Sequence, residues 1–207
     1  MKRVFLILPF VFAACTETPS GPSVQMRAAA SPTAATAGNK LLCFDGVSEG
    51  YGNGVCVLGT NGASLYNAAA GDYSGVYIAN SNLEGKNVKS INKLSFSYTS
   101  STGAVGGSPR ITFPVDVNGD GLWDDFVSAD AVNCTNGNAF GGTVDMINDP
   151  TCLVSFNGGA SYANWAAFVA ANPKATVATN AISFIIADQV GSYTISNVQL
   201  GKGPAKS

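Results

Sequence analysis

The spacing with the most chemistry in it is Asp116-Val117-Asn118-Gly119-Asp120-Gly121-Leu122-Trp123-Asp124, which fits D-x-N-x-D-G-x-x-D. In a curling loop, side chains at positions one, three and five turn their oxygens toward a common centre. A glycine at position six permits the sharp turn, and position seven offers its backbone carbonyl. Asp116, Asn118, Asp120 and the Leu122 carbonyl take those places, and Asp124 at position nine adds a carboxylate directly or through water. An oxygen-only set of this kind suits Ca2+ in a structural role, stiffening a loop at the rim of the fold. Position twelve is Val127 and not a bidentate Glu, which leaves Asp125 or Asp130 to replace it. Without an ion the same residues make a plain hairpin turning at Asn118-Gly119 with solvated acids. That alternative must absorb the repulsion of carboxylates and amides packed close together.

The remaining residues restrict the chemistry. The chain has 207 residues and no histidine, so a Ser-His-Asp triad, a Cys-His dyad and a His-ligated zinc are excluded. Eleven Lys+Arg against 13 Asp+Glu give a net charge of −2, too balanced for a nucleic-acid binder. Asp45, Glu49, Asp72, Glu84, Asp145, Asp149 and Asp188 are dispersed, with no spacing that singles out a glycosidase pair. No phosphate-cradling glycine motif joins a strand to a helix, and Lys86, Lys89 and Lys93 read as a solvated turn. No catalytic residue is assigned. Tyr51, Tyr66, Tyr73 and Tyr77 lie in or beside Gly/Asn-rich segments. Such rings stack on the apolar face of a pyranose, and they equally suit half-buried strand positions. Trp123, inside the acidic loop, is the better candidate for exposure, and Trp165 reads as core.

These residues need a scaffold, and short runs of Val, Ile, Phe, Tyr and Thr between Gly/Asn turns supply one. Leu94, Phe96 and Tyr98 alternate with Ser95, Ser97 and Thr99; Ile111, Phe113 and Val115 alternate with Thr112, Pro114 and Asp116. Both have the period of a half-buried strand. Ile182–Ala187 is nearly continuous and apolar, as a central strand covered on both sides must be. Further strands are expected at Leu41–Phe44, Val55–Leu58, Ser64–Asn67, Val76–Ala79, Phe126–Ser128, Gly142–Met146 and Leu153–Phe156. Along Ser192–Leu200 the alternation slips near Ser196-Asn197, which predicts a bulge. One helix is expected, capped by Ser161, with Tyr162, Trp165, Phe168 and Val169 on one face and a stop at Asn172-Pro173. The fold class is therefore all-β: an antiparallel sandwich with one short helix, spanning residues 40–200 and followed by an unstructured tail at 201–207.

The first residues read as an address. Lys2 and Arg3 precede the apolar Val4–Phe12, then Ala13, Ala14 and Cys15. This is the layout of a secretory signal, too short to span a membrane. Phe12-Ala13-Ala14-Cys15 resembles the lipobox of bacterial lipoproteins, with Phe12 where Leu is usual. The resemblance implies cleavage after residue 14, acylation of Cys15 and, with Thr16 following, the outer membrane or cell surface. An ordinary signal peptide with a chance cysteine is the alternative. Residues 16–39 are rich in Ser, Thr, Ala, Pro and Gly and read as a flexible linker. With Cys15 assigned to lipid, Cys43, Cys56, Cys134 and Cys152 remain. An even number in an exported chain predicts two disulfides. Three pairings exist; Cys43–Cys56 and Cys134–Cys152 are favoured because each closes a Gly/Asn-rich loop. Free buried thiols are the alternative.

The acidic loop resembles those of EF-hands, dockerins and thrombospondin-type repeats, departing at position twelve and in its flanking strand. The strand run, that loop and the closing strand Ser192–Leu200 together resemble the jelly-roll sandwiches of carbohydrate-binding modules, a likeness of architecture. Tyr162–Leu200 is also similar to stretches of uncharacterised bacterial secreted proteins. These resemblances imply a surface-anchored, calcium-stabilised sandwich that binds a glycan or another extracellular polymer. The alternatives are a cell-envelope hydrolase using carboxylates and a structural or adhesive lipoprotein that binds protein.

Overall fold

Period-two alternation sorts the side chains of each strand onto two faces, and in the computed structural model those faces close on one another. Described are residues 40–79, 83–134, 139–156, 159–179, 181–201 and 203–204. The expected signal, Cys15 and linker lie outside them. An eight-stranded sheet runs in the order β1 (Lys40–Asp45), β4 (Ser74–Ala79), β12 (Ser183–Ala187), β6 (Arg110–Asp116), β7 (Asp125–Asp130), β9 (Val154–Phe156) and β10 (Ser161–Tyr162). The eighth strand, β11 (Thr176–Val177), pairs with β6. The second sheet runs β2 (Val55–Gly59), β3 (Gly62–Asn67), β13 (Gly191–Leu200), β5 (Leu94–Ser100) and β8 (Gly141–Asp145), with β14 (Gly203–Pro204) beside β13. Every pairing is antiparallel. The expected antiparallel sandwich is the architecture found.

Leu41, Ile78, Ile111, Phe113 and Ile185 of the larger sheet meet Leu65, Phe96, Tyr193 and Ile195 of the smaller one, all fully buried. Each such side chain contributes about 1.5–3 kcal/mol of burial. The run Ile182–Ala187 becomes β12, central between β4 and β6 and buried along its whole length. The expected bulge is present: the β13–β5 register shifts between Ser196 and Gln199, and Asn197 takes φ +50°.

Helix α2 (Trp165–Ala171) is the predicted helix, with its start corrected. Asn164 caps it by accepting the Ala167 N–H at 2.9 Å, while Ser161 and Tyr162 are spent in β10. The serine is an acceptable cap in isolation, but pairing with Ser155 and Val154 of β9 holds it extended. Trp165 packs on Phe113 at 5.4 Å and on Phe168 at 5.2 Å, inside the main core as expected. The chain also does not stop pairing at Leu200, because Gly203–Pro204 returns onto Gln199 and Leu200. A single turn of helix, α1 (Gly46–Glu49), was not predicted; Asp45 caps it and Gly50 ends it with φ +80°.

Both favoured disulfides form. Cys43 sits in β1 and Cys56 in β2, so this bridge fastens one sheet to the other, beyond closing a loop. Cys134–Cys152 ties the segment after β7 to the one before β9.

Candidate functional site

The acidic motif connects β6 to β7. Asp116, the last residue of β6, is 1% exposed. Its Oδ1 accepts the N–H groups of Gly119 at 2.6 Å and Asp120 at 3.2 Å; its Oδ2 accepts the Gly121 N–H at 2.6 Å and the Thr176 hydroxyl at 3.2 Å. Four donors occupy the roughly four lone-pair sites of a carboxylate. Burial alone pushes this carboxyl group up, but the donors from Gly121, Gly119, Thr176 and Asp120 outweigh it and hold the group below its ordinary 3.8. Asn118 Oδ1 accepts the Asp120 N–H and Asp120 Oδ1 the Leu122 N–H, each at 2.8 Å. Asp124 accepts the N–H groups of Val117 and Asn118 and the Asn118 amide. Gly119 and Gly121 both take φ +87°, with open space where a Cβ would stand, so glycine is required there by the backbone turn and not by crowding.

The curl expected of the motif is thus present, with Asp116 buried and Asn118, Asp120 and Asp124 exposed to solvent. Asp116, Asn118, Asp120 and Asp124 join one hydrogen-bonded loop. Among the described residues, however, no three His, Cys, Asp or Glu side chains group as a metal-holding set. The replacements expected for position twelve are engaged elsewhere. Asp125 accepts its neighbour Phe126 N–H, and Asp130 accepts the backbone and amide of Asn133. Asp130 stands at the far end of β7, about 17 Å along the strand by its rise, so it cannot close the loop. Thr176, and Thr179, whose hydroxyl donates to the Gly121 carbonyl at 3.1 Å, are partners without a sequence signal. They reach the loop only because β11 pairs with β6.

The outer faces of the two sheets differ in kind. On the smaller sheet Ser64, Thr194 and Thr99 stand in one cross-strand row, and Ser97 Oγ meets Thr143 Oγ1 at 3.1 Å. On the larger sheet the outward positions carry Phe44, Phe126, Phe184 and Ile186, which form a second apolar cluster. Tyr51, Tyr73 and Tyr77 lie half-buried over it. Phe44 meets Tyr51 at 6.1 Å and Tyr77 at 5.5 Å, Tyr51 meets Tyr73 at 6.0 Å, and Phe126 meets Phe184 at 5.3 Å. Trp123 reaches back from the acidic loop onto Phe126 at 4.8 Å and remains 38% exposed. Of the four tyrosines singled out in the sequence, three gather here, and Tyr66 stands exposed on β3 of the opposite sheet.

Two loops hold the tyrosine end in place. The Asp72 carboxylate, 4% exposed, accepts the N–H groups of Asn53, Ala68 and Ala69. Those donors, Asn53 first, lower its pKa against the opposing effect of burial. Burial first, then the Glu49 charge on α1, push the Tyr77 phenol well above its usual range. Asp188 is joined to Arg110 in an ion pair at 2.5 Å. The floor of the cluster lacked a sequence signal at Phe44 and Phe126. For Phe184 and Ile186 the signal was the unbroken apolar run, whose second covered side is this cluster.

No protein-family model, curated protein or solved structure matches this chain.

Proposed function

We propose that this chain is an exported, lipid-anchored β-sandwich that binds a glycan or another extracellular polymer on the outer face of its larger sheet. The single observation that carries the reading is that this outward face holds an aromatic cluster, whereas the opposite one sets Ser and Thr beside the exposed Val55, Val57 and Tyr66. Half-exposed rings above a buried aromatic floor offer flat, rigid platforms of the kind on which pyranose faces stack. The two disulfides favour an oxidising compartment and so support export; acylation at Cys15 is what the lipobox resemblance implies. A glycan array with the purified chain tests the reading. Tyr77→Ala and Trp123→Ala are each expected to weaken binding about tenfold or more, while Tyr66→Ala on the other sheet leaves it unchanged. Binding that survives both changes on the aromatic face would refute it.

The same proposal includes a structural Ca2+ at the β6–β7 loop, with oxygens from Asn118, Asp120, the Leu122 carbonyl and Asp124, and from Asp116 in exchange for one of its four hydrogen-bond donors. Support comes from the donor set and from the curl that brings these residues into one loop. The ion's contribution would be to neutralise clustered carboxylates and lock the turn under Trp123. At an ion concentration a hundredfold above Kd, binding adds about 2.7 kcal/mol. Chelator should then lower the melting temperature by about 5–10 °C, and Asp120→Ala should abolish that response. Identical melting with and without chelator removes the ion from the account.

A further inference from the structure

The two sheets end on four edge strands, and three of these are blunted. β10 is two residues long, β8 ends on Asp145, and β1 carries Lys40 and Asp45 at its two ends. Short length and charge keep an edge from pairing with another chain. The fourth edge, β2, is Val55-Cys56-Val57-Leu58-Gly59, with neither charge nor proline. It pairs with β3 alone, and none of Val55, Cys56, Val57 and Leu58 makes a further backbone bond among the described residues. Its side chains are open as well. Val57 is 59% exposed, and Val55 stands exposed beside Tyr66, its cross-strand neighbour. Leu58 turns to the same side as the bridged Cys56, yet stays 39% exposed. The Cys43–Cys56 bridge fastens this edge in place, so its backbone groups are held ready for a partner.

We infer that β2 is the pairing strand for a second copy of this chain, joined antiparallel about Val57 so that the two smaller sheets run into one. Val57 is the middle residue of the strand. About a two-fold axis there, Val57 faces its own counterpart, Cys56 faces Leu58 and Val55 faces Gly59. One patch thus meets itself, and edge groups that face water become a ladder. The exposed Val55, Val57 and Tyr66 of both copies then form one apolar strip across the axis. Charge argues for the same occupant. Identical copies carry the same charge at every position, so a strand that pairs with itself must be free of it, and β2 is. An acidic or basic strand from another protein finds no complement on this edge. A five-residue ladder with its flanking side chains is a small interface, so the association is weak and follows mass action.

Sedimentation velocity of the purified chain over about 1–100 µM tests this. A monomer–dimer equilibrium within that range is expected. The β2 amides should exchange more slowly at the concentrated end, while those of β8, the other edge of the same sheet, do not change. Val57→Lys sets like charges against each other on the axis and should weaken the dimer about tenfold or more. Thr99→Lys puts the same charge on the same outer face three strands away and should leave the dimer intact. A chain that stays monomeric up to about 100 µM overturns the inference; protected β2 amides in that monomer would mean that its own residues cover the edge. A dimer that keeps its affinity in Val57→Lys, or that forms with β2 exchange unchanged, also overturns it, because its interface then lies elsewhere. The exchange measurement uses the unaltered chain, so it decides even where a variant misfolds. None of these outcomes depends on polymer binding, which is placed on the larger sheet.

Discussion

Replacing Asp116 by alanine is expected to destabilise the protein by about 4 kcal/mol, which for a domain of this size lowers the melting temperature by about 10 °C. The size follows from what the carboxylate does. It collects the N–H groups of Gly119, Asp120 and Gly121 and the Thr176 hydroxyl, so one truncation strands four donors and unties the loop from β11. Bonds to a charged acceptor contribute about 1.5–3 kcal/mol each when buried. Gly119 and Asp120 are exposed, so water recovers part of the loss there. Asp116→Asn probes the charge alone. The folded-state pKa of Asp116 lies below its ordinary 3.8, so its contribution is present above that value and is lost as pH falls through the lower folded value. Wild-type stability should therefore decline below about pH 4, and Asp116→Asn should decline less steeply over that range. Asp72, shifted the same way by its three backbone donors, preserves part of the slope in the variant. Thermal melts of the three proteins across that range decide the matter. An alanine variant melting with the wild type would mean that the carboxylate does not organise the loop.

Loss of the Cys43–Cys56 bridge is the second large effect. A closed loop of this length stabilises by about 3 kcal/mol through the unfolded chain, and the sequence separation here is 13. The bridge also joins β1 of one sheet to β2 of the other. Cys43→Ala/Cys56→Ala should therefore lower the melting temperature by about 10 °C. Fraying should begin at β2, which sits at the edge of its sheet. Hydrogen exchange resolved by strand would show β2 amides opening first while those of β12 stay protected. Uniform loss of protection in both strands would contradict this edge-first order.

Loss of a carboxylate and loss of a bridge probe two different kinds of legibility. Every long strand could be read from alternation, because a period of two is written in neighbouring residues and needs no partner. The helix stop at Asn172-Pro173 and the bulge near Asn197 were legible for the same reason: each is a conflict between adjacent residues. The helix start was not, because Ser161 pairs with Ser155 of β9, and that pairing is not written in the residues around Ser161. The disulfide pairing was correctly favoured as loop closure, but its role as a staple between sheets depends on which sheet each cysteine joins.

By itself, then, the chain's order of residues determined which longer segments are strands, which faces of them are apolar, where the acidic loop curls and which cysteine pairing is favoured. All of these rest on interactions within a few residues or on short loops, whose entropy cost is small. Only the tertiary structure decided that Phe44, Tyr77, Phe126 and Phe184, from four separate strands, share one outer face. It alone turned Asp116 to its own backbone and to Thr176. Those juxtapositions follow from strand order and register, and many registers are compatible with the same alternation. The choice among them is made by how two whole sheets bury their inner faces against each other.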